Sequence, residues 1–425
     1  MGGLLQQKTM DGDDIFWLQM LREQGRDNFI LQGVTTSKTE AWKYTKLRIL
    51  NVDDFEFATA THVNCDCHNH NGNCSCQDKS EHFFSPYVYR YKNGMFIPPH
   101  PRLPEGVEVM TLIEALRLCD EGKNKLNKLI DISKFPFAAL NTAYVEEGLF
   151  VCVHKNVHLD MPLFIDVCTH ADDKNLFYNL RNLIVVETGA KAQILEHYHY
   201  CGKEKSRYFI NVVNEIYVGR EAQLSHYKLQ DDAFKSCHIS LSAVQVKANG
   251  RYENFCCQKG ADIGRNEVVV KLLEEGAFAK VDAAYKMSGW ATIDTTTDIQ
   301  HMSPNTHSEQ LVKGVVDGDS KGVFQGRIHI APNAQQTEGK QFHQALLLSD
   351  NAEIDVKPEL EIFADDVKCS HGAASGELDS EQLFYMRSRG IDAKEAKQIL
   401  VEAFLDDVLL RISDDNTREW FLQHL

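Results

Sequence analysis

Two metal-binding side chains, Cys369 and His371, stand two positions apart near the end of the chain. The alternating residues 357–368 predict a β-strand that leads into the pair and a turn at Gly372. Residues i and i+2 of a strand face one side, so thiolate and imidazole would reach one iron or zinc ion. A lone Cys-x-His pair is, however, more often a buried cysteine beside a hydrogen-bonded histidine. A metal would need further ligands from elsewhere or from another chain.

A second group of candidate ligands falls between residues 65 and 76, where cysteines and histidines are dense. Its four thiols would complete a tetrahedral metal site, and they belong to Cys65, Cys67, Cys74 and Cys76. The Cys-x-Cys spacing is less specific than Cys-x-x-Cys. Two interpretations stay open: a metal-binding loop, and a polar insertion that is rich in cysteine.

Histidines recur on the predicted strands: His197, His199, His226, His301, His307, His329 and His343. Stacked strands would align such side chains, but most are expected to be surface or hydrogen-bonded core residues. Cys256 and Cys257 are adjacent and would point to opposite faces, so they would not chelate one ion.

The common catalytic and nucleotide-binding motifs are absent from the sequence. The chain has no Walker-type glycine loop, no dinucleotide fingerprint after a strand, no Gly-x-Ser-x-Gly elbow and no His-Glu-x-x-His. No motif in the sequence identifies a catalytic nucleophile together with its general base. We therefore expect a protein that is not an enzyme.

Composition limits the partners and the compartment. The 425 residues carry a net charge of −16 without a basic cluster, which argues against nucleic acid and anionic membranes as partners. No apolar run is long enough to span a bilayer, and the first residues lack the features of a signal peptide. Twelve cysteines in such a chain indicate free thiols or metal ligands. We expect a cytoplasmic protein.

Short strands and regular turns dominate the middle of the chain. Gly189, Gly219 and Asn249 occupy equivalent turn positions at intervals of 30 residues. A fixed period of strand and turn predicts stacked β-structure, specifically a right-handed parallel β-helix, rather than a sandwich. The predicted parts are an N-terminal helical and α+β domain (1–145) with the insertion 65–76, the β-helix core (146–375) and a C-terminal helical domain (376–425).

The C-terminal helices carry an apolar stripe at helical spacing that includes Phe404. Stripes of this kind more often belong to the core than to a docking face. A helical cap on a β-solenoid is expected in either case, so docking would be an additional role.

Several motifs together resemble the SufB/SufD family of the SUF iron–sulfur cluster assembly scaffold. Residues 38–47 resemble the family's Lys-x-Glu-x-Trp-Lys-Tyr-Thr-x-Leu signature, and the match continues through 294–297, 322–328 and 383–391. The Cys-Ser-His-Gly-Ala of 369–373 stands where SufB-type subunits carry His-Glu-Ala-Thr, so the resemblance is to SufD. The insertion 65–76 is not a family feature.

The resemblance implies a scaffold subunit that pairs with SufB and docks the SufC ATPase through its C-terminal helices. It implies that His371, with Cys369 beside it, contributes a ligand or iron-entry residue at the SufB–SufD interface. The nascent iron–sulfur cluster or iron would be shared there, and a flavin is associated with such complexes. Arg387, Arg389 and Phe404 are the expected docking residues, and a homodimer in isolation stays open.

Two other functions remain as alternatives. An enzyme on a β-helix, such as a polysaccharide lyase, would need paired acids with lysine or arginine along a groove, and Asp365 and Asp366 have no evident basic partner. The third reading is a metal store or metal chaperone that acts through Cys65–Cys76.

Overall fold

The computed structural model describes residues 9–34, 39–47, 54–59, 83–171, 174–201 and 207–424. Seven α-helices lie towards the two ends of this part of the chain: α1 Phe16–Gln32, α2 Leu112–Leu118, α3 Asp120–Lys125, α4 Pro136–Ala143, α5 Ser380–Ser388, α6 Ala393–Leu409 and α7 Asp415–His424. None of the described helices is both long enough and apolar enough to cross a membrane.

Twenty β-strands occupy most of the remaining described chain. They are β1 Glu56–Phe57, β2 Val88–Lys92, β3 Met95–Ile97, β4 Val107–Thr111, β5 Leu149–Val153, β6 Leu163–Thr169, β7 Leu176–Val186, β8 Lys191–Tyr200, β9 Tyr208–Val218, β10 Gln223–Asp232, β11 Ser236–Val246, β12 Arg251–Gly260, β13 Ile263–Leu272, β14 Phe278–Met287, β15 Thr292–His301, β16 His307–Val316, β17 Lys321–Ile330, β18 Thr337–Leu347, β19 Glu353–Ile362 and β20 Val367–Gly376.

Successive strands from β5 onwards alternate between two sheets, so each strand pairs with the strand two places later. The first sheet runs β19-β17-β15-β13-β11-β9-β7-β5-β4, with β1 beside β7, and the second runs β20-β18-β16-β14-β12-β10-β8-β6-β2-β3. From β5 to β20 the pairing is parallel throughout. The protein is therefore a parallel β-solenoid of about seven turns, which confirms the predicted class.

The repeated turns explain the period seen in the sequence. Gly189 and Gly276 have φ angles of +71° and +74°, a region that disfavours residues with a Cβ atom. A Cβ atom on either would also lie about 2 Å from the side-chain oxygen of Asn156 or Asn249. Each turn thus stacks on a turn of the preceding coil, and this stacking requires small residues there.

Residues 39–47 form a segment that packs on the outside of the first sheet. Arg265 places its guanidinium 4.3 Å from the centre of the Trp42 ring, and Glu40 lies 2.8 Å from Lys357. Thr45 donates a hydrogen bond to Asp294. This segment therefore contributes to stability by covering the outside of the solenoid.

The C-terminal helices cover the outside of the second sheet. Leu405 on α6 and Trp420 on α7 are buried in one cluster with strand residues such as Phe164. Arg411, which follows α6, lies 2.7 Å from the buried Asp282 of β14. The last strands, β19 and β20, each have a partner on one side in the described chain, so one end of the solenoid is open.

Candidate functional site

Cys369 and His371 lie within β20, the last strand of the second sheet. The prediction of a turn at Gly372 is wrong, because β20 continues in parallel register with β18 and pairs Gly372 with Phe342. Glycine is required here for a different reason: an added Cβ atom would lie 2.6 Å from the Phe342 ring. The two candidate ligands therefore stand on a regular, exposed edge strand.

The two side chains share one face of the strand but differ in exposure. Cys369 is half-buried and packs against the apolar cluster around Ile328 and Ile330 at the open end. Burial raises the pKa of the Cys369 thiol because the thiolate would lose its hydration. His371 is exposed. A metal that binds Cys369 must displace the thiol proton, whereas solvent already reaches His371.

Further ligands do not gather around this pair in the described part of the chain. Three ligand-type side chains come together at two other places, formed by Cys152, His154 and Glu187 and by Asp166, His197 and His199. Cys369 and His371 belong to neither group. Metal binding by Cys369 and His371 therefore stays a prediction.

The cysteine-rich segment with Cys65, Cys67, Cys74 and Cys76 lies outside the described residues. Both interpretations of this segment stay predictions.

A polar network inside the solenoid joins His226, which the sequence analysis named, to polar residues that it did not select. His226 Nε2 lies 2.6 Å from Glu196 Oε1, and its Nδ1 lies 3.0 Å from the Tyr252 hydroxyl. Asn214 donates a further hydrogen bond of 2.7 Å to Glu196. Burial alone would raise the pKa of Glu196, but hydrogen bonding to and attraction by His226 lower it to about 2. The interior therefore holds a carboxylate that is fully hydrogen-bonded rather than a reactive acid.

A second chain of contacts follows on the next strands. Lys228 Nζ lies 3.0 Å from His238 Nε2 and 2.7 Å from Ser240 Oγ. His238 Nδ1 lies 2.8 Å from Asp232 Oδ2. Burial lowers the pKa of both Lys228 and His238. The sequence signal for these contacts would have been charged residues at strand positions that face the interior. Which positions face the interior is known only once the strand register is known.

The other strand histidines divide between the two faces of the sheets. His343 is buried and lies 2.9 Å from the Tyr285 hydroxyl, and His301 is buried between Thr306 and Ser308. The remaining two are less buried: His307 is exposed, and His329 is half-buried beside a carboxylate. These positions agree with the expectation that most strand histidines are core or surface residues.

One pair of cysteines agrees with the sequence analysis, and another pair contradicts it. Cys256 and Cys257 belong to different apolar clusters, as expected for adjacent residues with opposite directions. Cys168 and Cys201, in contrast, are joined as a disulfide, so the expectation of free thiols is wrong for this pair. Their separation of 33 residues is close to one coil of the solenoid, which places the two thiols side by side.

The predicted docking residues lie on α5 and α6, the first two helices that follow the solenoid. Arg387 is exposed on α5, and the exposed Arg389 has its guanidinium 5.2 Å from the Tyr385 ring centre. Phe404 on α6 is half-buried, and Lys313 Nζ lies 4.5 Å from its ring centre. Phe404 is therefore partly a core residue, while the two arginines face solvent.

Comparison with known families gives two matches that together span most of the chain. Residues 168–404 match the family described as "SUF system FeS cluster assembly, SufBD core domain". Residues 5–165 match the family described as "SufBD protein N-terminal region".

Individual relatives agree with these family matches. An iron–sulfur cluster assembly SufBD family protein of Synechocystis is 30% identical over 389 residues, which cover 88% of this chain and 83% of the relative. The iron–sulfur cluster assembly protein SufD of Escherichia coli is 31% identical, with 58% of this chain and 57% of the relative covered. SufD of Bacillus subtilis is 27% identical, with 66% and 64% covered.

Proposed function

The chain belongs to the SufBD family, and we propose that it is a SufD-type scaffold subunit for iron–sulfur cluster assembly. Its fold, its family matches and its relatives named SufD support this role. The finer elements of the proposal are a partner subunit of the SufB type, a docked ATPase of the SufC type and a cluster site shared between chains.

The observation that carries the proposal is the open end of the solenoid with Cys369 and His371 on its last strand. A thiol and an imidazole on one strand are suitable ligands for iron, but two ligands alone do not complete a metal site. The described residues around them add no third ligand. A second chain at this end would complete the site, and iron or a nascent cluster would be held there as cargo.

The partner proposed for this end is a second solenoid. Edge strands such as β19 and β20 present unpaired backbone groups that readily pair with another strand. Ile362 and Phe363 at the end of β19 are 40% and 60% exposed. A SufB-type subunit with the same fold would bury this apolar surface and would place its own side chains opposite His371. Without that partner, the same edges would support a homodimer.

The surface proposed for the ATPase is formed by α5 and the outer side of α6. No residue of α5 is buried, and Phe384 and Tyr385 are 74% and 59% exposed. Arg387 and Arg389 add positive charge beside these rings on a chain whose net charge is −16. Exposed aromatic and arginine side chains are enriched at binding hot spots, which favours this face as a docking surface.

No catalytic step is assigned to this subunit. ATP hydrolysis would belong to the docked partner, and the role of this chain would be to hold ligands and transmit the movement of that partner. A flavin in the assembled complex stays an open part of the proposal, because no described residue identifies a place for it. The cytoplasm remains the expected compartment, although a relative in Arabidopsis thaliana is named as chloroplastic.

The test is co-expression with a SufB-type and a SufC-type partner, followed by reconstitution of clusters on the purified complex. We expect His371→Ala to keep the complex intact and to reduce cluster yield, since it removes a ligand from an exposed position. His307→Ala provides a matched control, because His307 is also exposed on the second sheet but lies on β16. A chain that never associates, or a cluster yield unchanged by His371→Ala, would contradict the proposal.

A further inference from the structure

A cluster of three buried ligand-type side chains lies far from the open end, where α7 packs on the second sheet. His197 and His199 are on β8 and Asp166 is on β6. All three are at least nine-tenths buried, with exposures of 3%, 3% and 6%. Neither the strand pairing nor the proposed cluster assembly uses these side chains.

The strand register brings the three side chains to one face. Asp166 pairs with His197 across the parallel strands, and Cys168 pairs with His199. Side chains two residues apart share a face, so both histidines point to the side of Asp166. This is the outer face, since the intervening Tyr198 belongs to the interior core. Cys168 is held in its disulfide, which leaves two imidazoles and one carboxylate as ligands.

The distances between the ligand atoms are compatible with a bound metal ion. Asp166 Oδ1 lies 3.3 Å from His197 Nδ1 and 3.1 Å from His199 Nε2. Ligand bonds of about 2.0–2.1 Å in a tetrahedral site place neighbouring ligand atoms about 3.3 Å apart. Asp166 Oδ1 and His197 Nδ1 are nevertheless buried without a hydrogen bond, although buried polar atoms are normally satisfied. The ligand atoms of the three residues thus lie within 4.8 Å of one another, and two of these atoms lack a hydrogen-bond partner.

The His197 ring lies against the C-terminal helix α7. Trp420 and His424 of α7 lie beside this ring, with centroids 5.3 Å and 5.7 Å away. A bound ion would therefore sit under the C-terminal helix and would link that helix to β6 and β8.

We propose that Asp166, His197 and His199 form a structural site for a divalent transition-metal ion. Two imidazoles with one carboxylate suit Zn²⁺ or Fe²⁺, whereas Mg²⁺ and Ca²⁺ prefer ligand sets made of oxygen. The ion would offset the negative charge of the buried Asp166 carboxylate. This site is independent of the cluster-assembly proposal and would exist in the isolated chain.

The experiment uses the full-length chain in a background without the other candidate ligands. That background carries Cys65→Ser, Cys67→Ser, Cys74→Ser, Cys76→Ser, Cys369→Ser and His371→Ala, together with His154→Ala, which removes a ligand from the group of Cys152, His154 and Glu187. The chain is stripped with a chelator and titrated with zinc sulfate. Bound zinc is measured by mass spectrometry after desalting, and Tm is recorded with and without zinc. We expect one zinc ion per chain and a higher Tm in the zinc-bound protein.

Two variants of the background test the ligands themselves. Asp166→Asn keeps the shape of the side chain and removes its charge, and His199→Gln removes one imidazole. Each should weaken zinc affinity more than about tenfold, because the loss of even an outer-shell partner costs about 10–100-fold. His343→Gln is the matched control, since His343 is equally buried but lies beside Tyr285 and no carboxylate. It should leave the zinc affinity unchanged.

Two results would overturn the proposal. One is the absence of bound zinc in the background protein, which would mean that the three residues form only a buried Asp–His ion pair. The other is a folded Asp166→Asn or His199→Gln variant that binds zinc as tightly as the background. Because the first result is obtained without either variant, the proposal remains testable if a variant fails to fold.

Discussion

Individual residues in the solenoid interior set the acid sensitivity of the fold. Burial lowers the pKa of His343 to about 4 from an unfolded value near 6.5, so the folded chain resists its protonation. Between these two values the unfolded state binds more protons, and stability therefore decreases as the pH falls from about 6.5 to about 4. The full shift corresponds to about 3 kcal/mol for this residue.

We predict that His343→Gln reduces the loss of unfolding free energy between pH 7 and pH 4.5 relative to the parent chain. Urea unfolding at the two pH values measures the difference. His307→Gln, at an exposed position, is the control and should behave as the parent does. An identical pH dependence in the His343→Gln variant would show that another group is responsible.

At the scale of elements, the first two helices after the solenoid, α5 and α6, differ in burial. Leu405 of α6 is 2% exposed and lies in the cluster against the second sheet, whereas Phe384 of α5 is 74% exposed. We predict that Phe384→Ser changes the unfolding free energy by less than about 0.5 kcal/mol, the usual range for surface substitutions. The same change should weaken binding of the SufC-type ATPase, as measured by calorimetry or pull-down.

Leu405→Ala is the matched change on the buried side of the helix pair. It should destabilise the fold by about 2–5 kcal/mol, since it leaves a cavity in the core. If Phe384→Ser unfolds the protein, or leaves ATPase binding intact, α5 is not the docking element. Phe404 is half-buried against the core, so Phe404→Asp would affect stability as well as any docking and would not separate the two effects.

At the scale of the whole molecule, the open end of the solenoid should govern assembly. Ala373 and Ala374 are exposed on β20, so Ala373→Lys with Ala374→Lys should leave the monomer folded. We predict that the two changes weaken pairing with the SufB-type subunit and any homodimer, because lysine on an edge strand opposes strand pairing. Light scattering coupled to size-exclusion chromatography measures the assembly state.

The control for this prediction is Gln19→Lys with Gln24→Lys, which adds the same two charges at exposed positions on α1, a helix that packs near β5 and β7 rather than β20. It should assemble as the parent does. Assembly of the doubly substituted chain with unchanged affinity would place the interface elsewhere on the molecule.

The sequence by itself determined the stacked β architecture. Turns at Gly189, Gly219 and Asn249 repeat because each coil must stack on the one before it, and this local requirement is written in residue type and spacing. The motifs in 38–47 and 369–373 similarly indicated the family. The absence of the common catalytic motifs was also evident from the sequence alone. The sequence also identified Cys369 and His371 as an incomplete ligand pair.

Only the tertiary structure decided which side chains meet. Asp166 and His199 are 33 residues apart, and only the register between β6 and β8 sets their ligand atoms 3.1 Å from each other. The stacking of β6 and β8 also brings Cys168 to Cys201. In another pair of strands, the register with β18 continues β20 through Gly372, where the sequence suggested a turn. A shift of one residue would reverse the face of every side chain in a strand, so contacts across strands follow from the assembled sheet and not from spacing along the chain.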